Sequence, residues 1–188
     1  MENLIVIQMQ FTEKPIIYKT FILVLKMPKK ESSLEKLKKD YLKMQKKHNL
    51  PEFDKLNRDF QIEKASEVET DFLIREIRKL IAEKVYNYFR FIETLLNPVN
   101  APMSIFSVIK TLRNEDKEKL KEIYKEMARM EINLLETDID FAEEKEAKFI
   151  NDSYEAWQGM KKTILEVVRT IKDNWDNKSE EKRRGYFG

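Results

Sequence analysis

The acidic side chains between Glu131 and Glu155 offer this chain its clearest opening for chemistry. Glu131, Glu136, Asp138, Asp140, Glu143, Glu144, Glu146, Asp152 and Glu155 face only Lys145 and Lys148 there, a local charge of −7. Asp140, Glu143 and Glu146 recur at i, i+3 and i+6. On a helix that spacing puts three carboxylates on adjoining turns, where they could hold Mg²⁺, a hard cation that takes oxygen ligands. The opposite charge gathers upstream. Lys26, Lys29, Lys30, Lys36, Lys38, Lys39, Lys43, Lys46 and Lys47 outnumber Glu31, Glu35 and Asp40 over residues 26–48, a local charge of +6. Lys36, Lys39, Lys43, Lys46 and Lys47 would form a basic helix face able to contact phosphates. Lysine in place of arginine favours attraction to a nucleic-acid backbone over reading of bases. The solvated alternatives are an acidic face complementing helix N-termini, and a basic helix packed beside the acidic segment so that the two neutralise each other.

A second acidic pair, Glu115-x-x-Glu118, precedes Asp140-x-x-Glu143. The combination resembles the Glu-x-x-Glu … Glu-x-x-Asp pattern of all-α nucleotide pyrophosphohydrolases of the MazG type. The second motif departs from it, reading Asp-x-x-Glu. The resemblance implies Mg²⁺-dependent hydrolysis, with Asp140, Glu143 and Glu146 as the metal ligands.

Other chemistries lack their residues. There is no cysteine, which removes thiolate nucleophiles, disulfides and thiolate-held metals. The lone histidine, His48, has no nearby serine and carboxylate to suggest a triad, and no second Glu-x-x-His exists for a di-iron bundle. Its expected role is structural, at the core edge near the negative end of a helix. Of three glycines, Gly185 and Gly188 fall in the last four residues and only Gly159 lies within the body. Phosphate-cradling loops need several, so a Walker loop, a dinucleotide fingerprint and a Gly-x-Ser-x-Gly elbow are excluded.

These residues must be positioned by helices. Over 188 residues, 41% are hydrophobic and 37% charged, enough for one core under a very polar surface. The Lys/Glu-rich, cysteine-free composition has the bias of heat-adapted proteins. Ser32 and Ser33 can cap a first helix whose stripe runs Leu34, Leu37, Tyr41, Met44, His48 and which ends at Asn49-Leu50-Pro51. A short helix over Pro51–Arg58 follows, with proline at its first position and Phe53, Leu56 and Phe60 pinning it. Ser66-x-x-Glu69 reads as a capping box for the second main helix, striped by Ile74, Ile77, Ile81, Val85, Tyr88, Ile92 and Leu95 and stopped by Asn97-Pro98. Phe89, Phe91 and Leu96 lie on its other faces, so it belongs in the centre of a bundle, and Tyr86, Tyr88, Phe89 and Phe91 read as core packed from two sides.

A short apolar helix, Ser104–Leu112, comes next, and Asn114 reads as the cap of the following one. From Glu115 to Trp175 the helical phase hardly breaks. A single helix of that length would span about 90 Å, too long for a compact domain. It must fold back, either at Thr137-Asp138-Ile139-Asp140 or at Asn151-Asp152-Ser153. The expected fold is all-α: an antiparallel bundle of about four main helices plus two short ones, over residues 27–175, with a polar tail at 176–188.

Residues 1–26 differ. Two β-branched and aromatic runs, Leu4–Phe11 and Ile16–Leu25, flank Thr12-Glu13-Lys14-Pro15 and predict a β-hairpin, with an upstream extension ahead of Met27 as the alternative. Glu2 and the absence of a small-residue cleavage site argue against a secretory leader. Glu13, Lys14, Pro15 and Lys19 interrupt any membrane span. The functional expectation is a cytoplasmic, non-enzymatic helical interaction protein. Its partner is a protein or a second copy, with RNA or a ribonucleoprotein as the polyanionic option. No membrane and no specific small molecule is indicated.

Overall fold

The computed structural model describes residues 32–99 and 103–184, and the expected hairpin of residues 1–26 lies outside them. The described chain is an all-α bundle of six helices: α1 (Ser33–His48), α2 (Phe53–Phe60), α3 (Leu73–Leu96), α4 (Met103–Ile109), α5 (Asn114–Ile139) and α6 (Glu143–Arg184). Four are long and two short, as the sequence predicts.

α1 starts where its capping signal says. Ser32 Oγ accepts from the Glu35 N–H at 3.2 Å, and the Glu35 carboxylate accepts from the Ser32 N–H at 2.9 Å. Asn49 closes the helix in the left-handed region, φ 52°, which asparagine tolerates. Leu37 and Tyr41 are buried beneath it. The Tyr41 hydroxyl donates to the Pro51 carbonyl at 2.6 Å, which clips the chain leaving α1 back onto α1. Pro51 is not the first residue of α2. The hydrogen-bond ladder begins at Glu52, whose carbonyl accepts from the Leu56 N–H at 3.0 Å.

Ser66 does not cap α3. Ile62 and Ala65 are buried, and their burial draws Ile62–Glu67 into a 3-10 helix packed on α1 and α3. α3 therefore opens six residues after Glu67, with Phe72 at its N-cap. Here tertiary packing overrides a local cap signal. The expected stripe is inward: Ile74, Ile77, Ile81, Val85, Ile92 and Leu95 are buried. Burial on that scale contributes about 1.5–3 kcal/mol per side chain before entropy is counted. Tyr88 packs on Trp157 of α6 at 5.1 Å and Phe89 stacks on Tyr124 of α5 at 4.8 Å, whereas Tyr86 and Phe91 face solvent. α3 is thus central, though two of its aromatic side chains stay exposed.

The long helical run turns at residues 140–142, beside the first of the two expected breaks. The second lies inside α6, because its polar residues are taken up by the fold. Ser153 is buried, and Asn151 donates to the His48 carbonyl at 3.4 Å. α6 also passes Trp175 without interruption and continues to Arg184, ahead of Gly185. Asn114 is the first residue of α5 and not its cap. Arg113 holds that place, and the buried Asp116 carboxylate accepts from its N–H at 3.3 Å and from its Nε at 3.0 Å.

Side-chain pairings fix the helix directions. Lys119 approaches Glu166 and Asn174 donates to the Thr111 carbonyl, so α5 and α6 run antiparallel. Arg78 meets Asp138 and Phe89 meets Tyr124, so α3 and α5 do too. α3 and α6 are then parallel, with Arg78 by Glu146 and Tyr88 by Trp157. α1 meets this trio near the α5–α6 turn, where His48 reaches Glu143, and α2 meets it farther along, where Asp59 reaches Lys84 and Lys161. On the outer side of α5, Glu118–Lys121, Glu122–Lys125 and Glu126–Arg129 form three successive ion pairs of 2.7 Å.

Candidate functional site

The five lysines singled out on α1 share one side. At 100° per residue Lys36, Lys39, Lys43, Lys46 and Lys47 fall within an arc of about 100°. Leu37 and Tyr41, the buried positions, lie on the other side. All five lysines are exposed. Lys43 is held by Asp40 at 2.7 Å and Lys47 by Glu143 at 2.6 Å. The neutralisation of basic helix by acidic segment therefore occurs at one point, the C-terminal end of α1. Lys36, Lys39 and Lys46 stand on the same exposed side of the helix.

His48 sits where its position in the stripe implies, in the last turn of α1. Its side chain is 8% exposed and its Nε2 lies 2.9 Å from Glu143 Oε1. Hydrogen bonds from Lys47 and then His48 hold the Glu143 carboxyl below the usual range.

The acidic trio does not converge. Asp140, at the C-cap of α5, pairs with Lys145. Glu143 reaches across to α1. Glu146 is fully buried and faces α3, where Arg78 Nε lies 2.6 Å from its Oε2 and Arg75 Nε 3.6 Å from its Oε1. Neither contact is aligned as a hydrogen bond. Arg78, 5% exposed, also holds Asp138 at 2.7 Å, and Arg75 lies over the Phe141 ring at 4.2 Å. Each carboxylate is thus committed to a different cation. Among the described residues no group of three or more acidic, histidine or cysteine side chains is arranged to hold a metal ion. The Glu115-x-x-Glu118 pair stands at the start of α5 and Asp140 just past its end, about 35 Å apart along the helix axis. The described chain therefore does not bring the two acidic pairs together.

Two charged clusters escaped the sequence reading. The first is Arg75, Arg78, Asp138 and Glu146. Its signal was present, since Arg78 stands four residues after Ile74 and three before Ile81, inside an apolar stripe, and Glu146 precedes Phe149 and Ile150 in the same way. The second joins α2, α3 and α6. Asp59, nearly buried, accepts from Gln158 at 2.7 Å and Lys161 at 2.8 Å, and its carbonyl accepts from Lys84. Burial pushes the Asp59 carboxyl up, but the Lys161 and Gln158 donors outweigh it and leave the group below its ordinary value. Desolvation lowers the Lys84 ammonium, which lies 5.3 Å from the Trp157 ring. Its nitrogen is spent on the Asp59 carbonyl and two aromatic faces. Both clusters join helices distant in sequence and act as fasteners.

No protein-family model, curated protein or solved structure matches this chain. No helix among the described residues is long and apolar enough to cross a membrane.

Proposed function

We propose that this is a non-catalytic helical interaction protein of the cytoplasm, which uses the exposed side of α1 to hold the phosphate backbone of RNA, alone or within a ribonucleoprotein. The observation that carries the reading is the confinement of Lys36, Lys39, Lys43, Lys46 and Lys47 to one exposed arc of a helix anchored by Leu37 and Tyr41. A stripe of ammonium groups on a firmly packed helix can track a polyanion without reading its bases. The commitment of Asp140, Glu143 and Glu146 to separate cations supports a surface, not a reaction centre, as the working part.

Fluorescence anisotropy with single-stranded RNA tests this. Five phosphate contacts give a slope of log affinity against log salt of about −3.5. Reversing three charges, with Lys39→Glu, Lys43→Glu and Lys46→Glu, should flatten that slope by about 2 and leave the helical circular-dichroism signal unchanged. Absence of binding at about 50 mM salt, or binding indifferent to the three reversals, defeats the reading.

A further inference from the structure

The last turns of α5 carry apolar side chains on the face turned away from the bundle. Ile132, Leu135 and Ile139 are 66%, 59% and 87% exposed, whereas Met127, Met130 and Thr137 on the opposite face are buried. Leucine and isoleucine at such exposure are not core residues that happen to protrude, because they follow a pattern. With the half-buried Ala128 they are spaced 4, 3 and 4, the alternation of a coiled-coil seam. N-terminal to Ala128 the same face carries Lys125 and Lys121, so the seam is confined to about three turns.

From this pattern we infer that α5 pairs with α5 of a second copy, antiparallel, about a two-fold axis between Ile132 and Leu135. That arrangement is independent of the lysine face on α1. It closes four layers: Ala128 on Ile139 of the second copy, Ile132 on Leu135, and the two reciprocal contacts. The charges flanking the seam choose both the occupant and the direction. In the antiparallel register Arg129 of each copy meets Glu136 of the other, giving two symmetric ion pairs. Arg129 is exposed and, among the described residues, pairs with Glu126 of its own helix, so it can turn to the new partner. A parallel pairing instead sets Glu131 against Glu136 and repels. The antiparallel pairing brings Glu131 toward Asp138 on its other flank, but Arg78 already meets Asp138 at 2.7 Å. The isologous contact satisfies the general preference for two-fold assembly. Three turns of helix bury less than the ~1,200–2,000 Å² of a tight complex, so dissociation falls in the micromolar range.

Sedimentation equilibrium on the full chain tests this. A monomer–dimer equilibrium is expected, and Leu135→Glu should weaken it at least tenfold while the melting temperature of the monomer holds, since Leu135 is 59% exposed and is not part of the core. Arg129→Glu and Glu136→Arg should each weaken it, and the two together should restore it. The cysteine-free background permits a direct reading of orientation. Mixed Ala128→Cys and Ile139→Cys chains should form the crossed disulfide, with neither variant cross-linking to itself. A monomer at every concentration up to about 200 µM overturns the inference. So does a dimer untouched by Leu135→Glu, or self-linking of either cysteine variant.

Discussion

Arg78→Met should be among the most damaging single substitutions in this protein, and Arg78→Met with Glu146→Leu should largely repair it. The two side chains are 5% and 0% exposed. Separating the charges by about 4 Å in an effective dielectric of 20 gives about 4 kcal/mol of attraction. Removing only the guanidinium leaves the Glu146 carboxylate buried with Arg75 alone, 3.6 Å away and itself partly solvated. The expected loss is about 3 kcal/mol, at the lower end of the ~3–5 kcal/mol for breaking a buried pair, because Arg75 remains. Glu146→Leu alone should cost somewhat less, since Arg78 keeps Asp138 at 2.7 Å. The double variant replaces two desolvated charges by apolar groups of similar volume and should fall within about 1 kcal/mol of the parent. Urea unfolding followed by circular dichroism measures all four corners of the cycle. With a slope of about 1–3 kcal/mol per molar urea, the Arg78→Met midpoint moves down by about 1–3 M. Additive losses in the double variant, or a loss under about 1 kcal/mol in Arg78→Met, would show that this cluster does not behave as a coupled buried pair.

Three further outcomes follow from contacts already described. Tyr41→Phe leaves the part-buried Pro51 carbonyl without its donor and should cost about 1 kcal/mol, read as a lowered thermal midpoint. The Asp59 carboxyl is depressed in the folded chain, so its contribution is complete above the unfolded value near 3.8 and is lost as pH falls through the lower folded value. Asp59→Asn should accordingly make the acid limb of a stability–pH profile shallower below about pH 4, and an unchanged limb would count against the Lys161 and Gln158 contacts. Addition of about 5 mM Mg²⁺, or its removal by chelator, should leave the melting temperature in place, because Asp140, Glu143 and Glu146 are held by Lys145, Lys47 and Arg78; a rise of several degrees would mean these carboxylates can regroup around a cation.

The regular parts of the fold were legible because they are repetitive. Ile74, Ile77, Ile81 and Val85 announce an inward face by spacing alone, and Ser32 and Ser33 offer caps for a helix start that nothing else contradicts. Signals that competed with packing misled. Ser66 had every local feature of a cap, but buried Ile62 and Ala65 on either side of Lys64 committed the segment to a tighter turn. Asn151 and Ser153 looked like a break, but Asn151 donates to the His48 carbonyl and Ser153 is buried within α6. The lysine arc could be drawn from spacing, whereas the fate of Glu143 and Glu146 could not. Each carboxylate faces a cation about 70 to 100 positions away, and a single sequence does not say which distant positions meet.

The ion pairs along the outside of α5 have a different reach. Glu118–Lys121, Glu122–Lys125 and Glu126–Arg129 each join residues on one helix, so they stiffen a rod without telling it where to lie. Orientation is delegated to a handful of cross-links such as Arg78–Glu146 and Lys161–Asp59, and to the apolar seams. Most of the charged exterior could therefore be rewritten, pair by pair, with the architecture intact, while these few cross-links tolerate change only when both partners change together.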